Sequence, residues 1–187
     1  MQRAAVLKLL RAHAVQPLDP HEAAMTADTI RFVEEHADCL LRSCAPGHLT
    51  GSAWIVSPDR TRTLLTHHHK LDKWQQLGGH ADGDPDLLAV ALREAREESG
   101  LTRLRVVVAA IFDLDRHSIP ARKSDPEHYH YDLRFMIEAD PAEPLTISSE
   151  SKDLAWVEIA RVTALNPEES MARMVRKTKS FDRSRSS

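Results

Sequence analysis

Apolar and polar positions along the chain follow two rhythms. Apolar residues recur at helical spacing over Ala4 to Ala14 and His21 to Ala37, with a turn at Pro17 to Pro20 between them. From Gly47 the rhythm shortens. HLTGSAWIVS and RTLLTHHHK are rich in strand formers and are joined by Pro58-Asp59-Arg60, which predicts a hairpin. LRVVVAAIFDLD, residues 104–115, reads as a buried strand, and HYHYDLRFMIEA, residues 128–139, as an alternating one. The loop RHSIPARKSDPE lies between them. LAWVEIARV predicts a further strand, Pro167 to Lys179 a closing helix, and SFDRSRSS a frayed end.

The segment LGGHADGDPDLLAVALREAREESGL, Leu77 to Leu101, holds the helix with the clearest boundaries. Asp84 suits an N-cap, Pro85 the first helical position and Gly100 the left-handed residue that closes a helix, so the helix is predicted from about Pro85 to Ser99. Leu88, Ala91, Leu92 and Ala95 form its apolar stripe. Gly78 and Gly79 precede it in a predicted tight turn, where a backbone without Cβ brings a carbonyl close to an ion or lets a phosphate approach. Strands bracketing a central helix, with another helix at the end, predict a mixed sheet between helices.

Composition narrows the classes. A chain of 187 residues with 42% hydrophobic residues can bury a proper core, and suggests one domain with an extension. The boundaries expected are 1–45 for an N-terminal helical extension, 46–180 for the main domain and 181–187 for a flexible tail. The extension reads as a packing layer on general grounds, or else as a homodimer arm or a cap over the site. A net charge of −3 gives no general attraction to nucleic acid or to an anionic membrane. Cys39 and Cys44 have neither metal-ligand nor redox spacing, and there is no long apolar run or secretory leader, so a reduced cytoplasmic setting is expected.

The candidate chemistry lies on the bounded helix. Glu94, Glu97 and Glu98 span an arc of about 100°, so their carboxylates converge within one turn. Like charges so placed repel by roughly 0.2 to 0.5 kcal/mol per pair, and a hard cation among them removes that cost. Mg2+ or Mn2+ is the natural guest, because both prefer oxygen ligands. A solvated charged face balanced by Arg93 and Arg96 is the plainer reading of such a helix. The paired glycines ahead of the helix and the spacing of the whole segment weigh against it.

That spacing resembles the signature of the Nudix family. In that signature a glycine and five residues lead to a Glu, and seven further residues to Arg-Glu, an apolar residue, any residue, Glu-Glu, any residue, Gly and an apolar residue. Gly79, Arg93, Glu94, Glu97, Glu98, Gly100 and Leu101 match. Pro85 stands where the first Glu is expected, between Asp84 and Asp86, and Ala95 replaces a larger aliphatic residue. The flanking pattern extends the resemblance over most of residues 47–175. It implies a Nudix-like α/β/α sandwich with a mixed sheet, and divalent-metal-dependent hydrolysis of the diphosphate linkage of a nucleoside diphosphate joined to another moiety. It further implies that Glu94, Glu97 and Glu98, helped by the Gly78 carbonyl, hold the metal and that Arg93 anchors the glutamates. Glu97 or Glu98 serves as the base through the metal, or Glu150 does so from a later loop. The alternatives are a non-catalytic nucleotide-binding module and an isoprenoid diphosphate isomerase, whose chemistry needs a suitably placed Cys.

Outside this segment, His80 follows the two glycines and is expected near bound phosphate. Arg122 and Lys123 are candidates for the diphosphate oxygens. His128 and His130 alternate with Asp132 on one strand face, opposite Tyr129, Tyr131, Leu133 and Phe135, and are expected to turn toward a charged substrate. Together with His67, His68 and His69 they raise the idea of zinc, but spacing alone names no tight ligand triplet. The family's downstream substrate markers are not clearly present: there is no Tyr at the expected place, and Pro120 comes a few residues too late for the proline associated with ADP-ribose.

Overall fold

The computed structural model describes residues 2–69, 71–121, 126–149 and 151–183. Two helices come first, α1 (Gln2–Ala14) and α2 (Pro20–Glu35). The second is capped by Asp19, whose carboxylate accepts the backbone N–H groups of His21 and Glu22, with Pro20 at its first position. Among the described residues eight strands follow: β1 (Gly47–Val56), β2 (Arg62–His68), β3 (Lys73–Gln75), β4 (Leu77–His80), β5 (Arg105–Val106), β6 (Asp113–Ile119), β7 (His128–Glu138) and β8 (Ser151–Glu158). The helix α3 (Leu87–Ser99) stands between β4 and β5, and a 3-10 turn with the short α4 (Val162–Leu165) leads to α5 (Glu169–Arg183). Hydrogen bonding runs in the order β3-β2-β1-β7-β5, with β4 on β1, β6 on β7 and β8 on β2.

The chain divides into two interleaved compact units, and β1, β7 and α3 each contribute residues to both. The first comprises Met1–Ser52, Gly78–Ala91 and Val108–Phe135. In it α2 lies along β6, and Phe32 stacks on Tyr131 with ring centroids 4.0 Å apart. Buried Glu22 pairs with His13 at 3.0 Å and accepts the Leu114 N–H at 3.2 Å, so the two N-terminal helices and β6 share one polar anchor inside an apolar layer. The second unit comprises Ala53–Leu77, Leu92–Val107 and Met136–Ser187. Its centre is the β2–β8 ladder, from Arg62 opposite Glu158 to Thr66 opposite Leu154. Trp54 is fully buried there and donates its indole N–H to Thr178 of α5 at 2.9 Å.

Three local expectations are corrected. Residues 104–115 are not one strand: Val107 and Phe112 both donate to β7, at Met136 and Arg134, while the residues between them leave the ladder and Val108 is 39% exposed. Strand β6 instead continues to Ile119, into the segment expected to be loop. Gly78 and Gly79 lie in strand β4 rather than in a tight turn, and the left-handed residues come later, at Asp82 and Gly83. The central helix starts two residues late. Asp84 accepts the Asp86 N–H, and Asp86 itself caps the helix by accepting the Ala89 N–H at 3.0 Å.

Candidate functional site

The buried face of α3 is shifted from the expected stripe. Ala91 and Ala95 are fully buried as expected, but Leu87 and Val90 join them, while Leu88 and Leu92 are half-buried. The same face continues to Glu98, 9% exposed, and Ser99. The three glutamates therefore differ in setting: Glu97 is exposed, Glu94 half-buried and Glu98 turned inward. Arg93 donates to Glu94 Oε1 at 2.9 Å. At the far end Gly100 has φ +73°, and its N–H donates to the Arg96 carbonyl at 2.8 Å, the expected left-handed closure.

The seat of α3 on β1 depends on the absence of a side chain at Gly51. A Cβ there would stand 2.6 Å from the Leu87 carbonyl oxygen and 3.1 Å from Val90, so only glycine admits the first turn at this distance. Gly78 on β4 is constrained in the same way by Ser52, whose Oγ would lie 2.2 Å from an added Cβ.

One face of the β6–β7 pair is polar along its length. The register sets His130 opposite His117, Asp132 opposite Asp115 and Arg134 opposite Asp113. Polar residues of β1 complete it, with Thr50 and Ser52 donating to Asp132 Oδ1 at 2.8 and 2.6 Å. Arg134 is buried among Asp132, Asp113 and Asp115 at 2.8, 3.3 and 3.5 Å. Burial opposes its charge, but these three carboxylates outweigh that and hold the guanidinium firmly protonated. This stretch of the face thus pairs internally as a buried ion network.

Beyond the network the face becomes a histidine cluster. The His48 ring lies 4.9, 5.0 and 4.8 Å from those of His80, His128 and His130. His80 and His130 are 5.0 Å apart, and His117 and His130 are 5.5 Å apart. Burial, and after it the neighbouring His80 and His128, pushes His48 down to about 4. Burial together with His117 and His80 pushes His130 down to about 2. Both rings are neutral at pH 7.

The structure thus sets Arg93, Glu94, Glu97 and Glu98 on one helix, and brings His80, His128 and His130 into one cluster. Gly78 lies on β4 with His80. Arg122, Lys123 and Glu150 lie outside the described residues. Sequence reading missed His48, although its alternation with Thr50 and Ser52 on β1 marks a polar face. Cys39 and Cys44 are buried free thiols. Burial raises both above the usual thiol value, Cys44 to about 12 with help from Asp38. Among the described residues no helix is long and apolar enough to cross a membrane.

Solved structures similar to this chain include hydrolases. An Ap4A hydrolase of C. elegans in a binary complex is 16% identical at TM-score 0.53, over 71% of this chain and 96% of that one. A NUDIX-family hydrolase from Clostridium perfringens is 23% identical at TM-score 0.53, over 72% and 97%. The E. coli dihydroneopterin triphosphate pyrophosphohydrolase is 15% identical at TM-score 0.53, over 68% and 91%. At these identities the likeness is one of fold, and it agrees with the expected α/β class with a mixed sheet and N-terminal helices. No curated protein matches the sequence. The model of the NUDIX domain matches residues 48–178, most of the chain, which therefore belongs to the Nudix family of hydrolases.

Proposed function

We propose that this chain is a divalent-metal-dependent pyrophosphohydrolase acting on a nucleoside diphosphate linked to another moiety. The observation that carries the reading is the single helix α3, which presents Glu94, Glu97 and Glu98 within one turn between a firm cap at Asp86 and a left-handed closure at Gly100. The donor set fits Mg2+ or Mn2+, since it offers carboxylate oxygens and no thiolate. When bound, such an ion neutralises the diphosphate and lowers the pKa of a coordinated water.

The chain's own groups would divide the remaining work. Glu98, turned inward, and Glu94, held by Arg93, are the fixed ligands. Glu97, exposed on the same arc, is free to swing toward an attacking water and accept its proton, either itself or in concert with Glu150. His80, Arg122 and Lys123 supply hydrogen bonds to phosphate oxygens. The buried thiols of Cys39 and Cys44, both raised above the usual value, favour hydrolysis over isomerase chemistry that needs a cysteine at the substrate.

A hydrolysis screen with Mg2+ and with Mn2+ tests the reading. Ap4A and dihydroneopterin triphosphate, named for two of the structural relatives, head the panel, followed by ADP-ribose, nucleotide sugars and oxidised nucleoside triphosphates. Turnover that disappears in chelator and in Glu97→Gln is expected. Metal binding without turnover on any of these would assign a binding module instead.

A further inference from the structure

We propose that His48, His128 and His130 form a second metal site, one that takes a borderline transition ion, Zn2+, and is independent of the glutamate helix. One ring nitrogen from each of these three residues lies within 4.8 Å of the other two. His48 comes from β1, and the other two stand at alternate positions of β7, so an ion here would clasp two strands that are far apart in sequence.

The case for a ligand rests on nitrogens without a hydrogen-bond partner among the described residues. His48 is only 3% exposed, and among those residues neither of its buried ring nitrogens finds a partner. His130 Nε2 is buried and unpartnered in the same way. Burying an imidazole with neither donor nor acceptor satisfied is costly, and native interiors seldom leave such groups unmatched. A cation answers the acceptor side of this deficit in both His48 and His130, because each neutral ring has one unprotonated nitrogen whose lone pair can ligate it.

Donor type selects the ion. Three imidazoles suit Zn2+, Ni2+ or Cu2+ and are poor ligands for Mg2+, which the oxygen-only set on α3 prefers. Zinc sites with three protein ligands keep a fourth position for water. With Zn–N bonds of about 2.0 to 2.1 Å, tetrahedral nitrogens stand about 3.3 Å apart, so the rings must close by about 1.5 Å at most. His128 and His130 are only partly buried and can rotate inward, whereas His48 is fixed. His80 stands against both His48 and His130 and is placed to border the open position. This assignment takes His128 and His130 out of the substrate-facing role that their alternation alone suggests.

The experiment uses the untagged full chain, stripped with chelator and then titrated with Zn2+ against a chromophoric chelator in excess Mg2+, so that oxygen sites are already filled. A single Zn2+ per chain is expected. His130→Gln and His128→Gln should each weaken it by about 100-fold or more, beyond what loss of an outer-shell partner usually costs. Glu98→Gln should leave zinc affinity unchanged, which separates this site from the proposed hydrolytic centre. Co2+ in place of Zn2+ should give the intense visible bands of a tetrahedral site, absent in His130→Gln. His48→Gln is made as well, but the two partly buried histidines keep the test independent of its folding. Failure to retain Zn2+ in excess Mg2+, unchanged affinity in the folded His130 and His128 variants, or loss of zinc in Glu98→Gln overturns the proposal.

Discussion

Arg134 donates from Nε to Asp132 Oδ2 at 2.8 Å, with the two side chains 3% and 2% exposed, so a full charge pair is sealed inside the sheet face. Its partners are not interchangeable. Arg134→Met would leave Asp132, Asp113 and Asp115 facing one another without their cation. Removing one partner of a buried pair typically costs about 3 to 5 kcal/mol, and urea unfolding should show a loss of that size. A loss below about 1 kcal/mol would mean that the carboxylates take up protons or water at little cost. Replacing the pair together, Asp132→Asn with Arg134→Met, should recover part of the loss, measured as a double-mutant cycle.

The seat of α3 makes Gly51 a control point for activity as well as stability. In Gly51→Ala the new methyl would meet the Leu87 carbonyl at 2.6 Å, and neither backbone can yield cheaply. Overpacking of this kind costs roughly 1 to 3 kcal/mol. Because the displaced helix carries the glutamates, kcat should also fall, by about 100-fold if the helix moves about 1 Å. Thermal melts and steady-state kinetics on one preparation decide it. Full activity with an unchanged melting temperature would show that the helix does not bear on Gly51.

Glu97 and Glu98 should separate function from folding. Glu97→Gln removes a charge from an exposed position, so stability should stay within about 0.5 kcal/mol. On the proposed mechanism kcat should drop by about 100 to 10,000-fold. Glu98→Gln should lose activity similarly while disturbing an inward-facing side chain. Wild-type turnover in Glu97→Gln would remove that residue from the mechanism.

Acid should weaken one specific joint. Glu143 accepts the Thr102 hydroxyl and backbone N–H at 2.6 and 2.8 Å and faces Arg103, and these bonds pull its carboxyl from 4.5 down to about 2. A carboxylate with a lowered folded-state pKa stabilises the protein above its unfolded value. That contribution is lost as pH falls from about 4.5 toward about 2. Glu143→Gln should therefore melt earlier than wild type at pH 7, and the gap should close across this window. A gap undiminished at the acid end would mean that the ionised form is not what Thr102 binds.

The elements most legible in the sequence were those whose periodicity met a matching environment. Strand β7 alternates His128, His130, Asp132 and Arg134 against Tyr129, Tyr131, Leu133 and Phe135, and the two sets do face opposite ways, with Tyr131 stacked on Phe32. The apolar run around Val107 misled because an unbroken string of small aliphatic residues carries no period, so nothing in it marks where the ladder opens. Asp84 was a sound cap by type, but Asp86 competes for the same role two residues later and wins once Asp84 turns to hold the Asp86 N–H. The glutamates were found because their spacing is local. The histidine triplet was not, because its third member stands on another strand, about 80 residues away, and only the sheet register brings it near.

The interleaved build of the first unit also governs how the chain emerges during synthesis. Phe32 of α2 finds its stacking partner in Tyr131, the product of codons translated about 100 residues later, which at roughly 5 to 20 residues per second is a wait of about 5 to 20 s. Until β6 is made, α2 lacks the strand it lies along, and Glu22 lacks the Leu114 N–H that it later accepts. A nascent chain arrested before β6 and β7 would carry both helices with their sheet-facing surface bare, the kind of surface that holdase chaperones bind. The first helices made are therefore among the last parts of their unit to be satisfied.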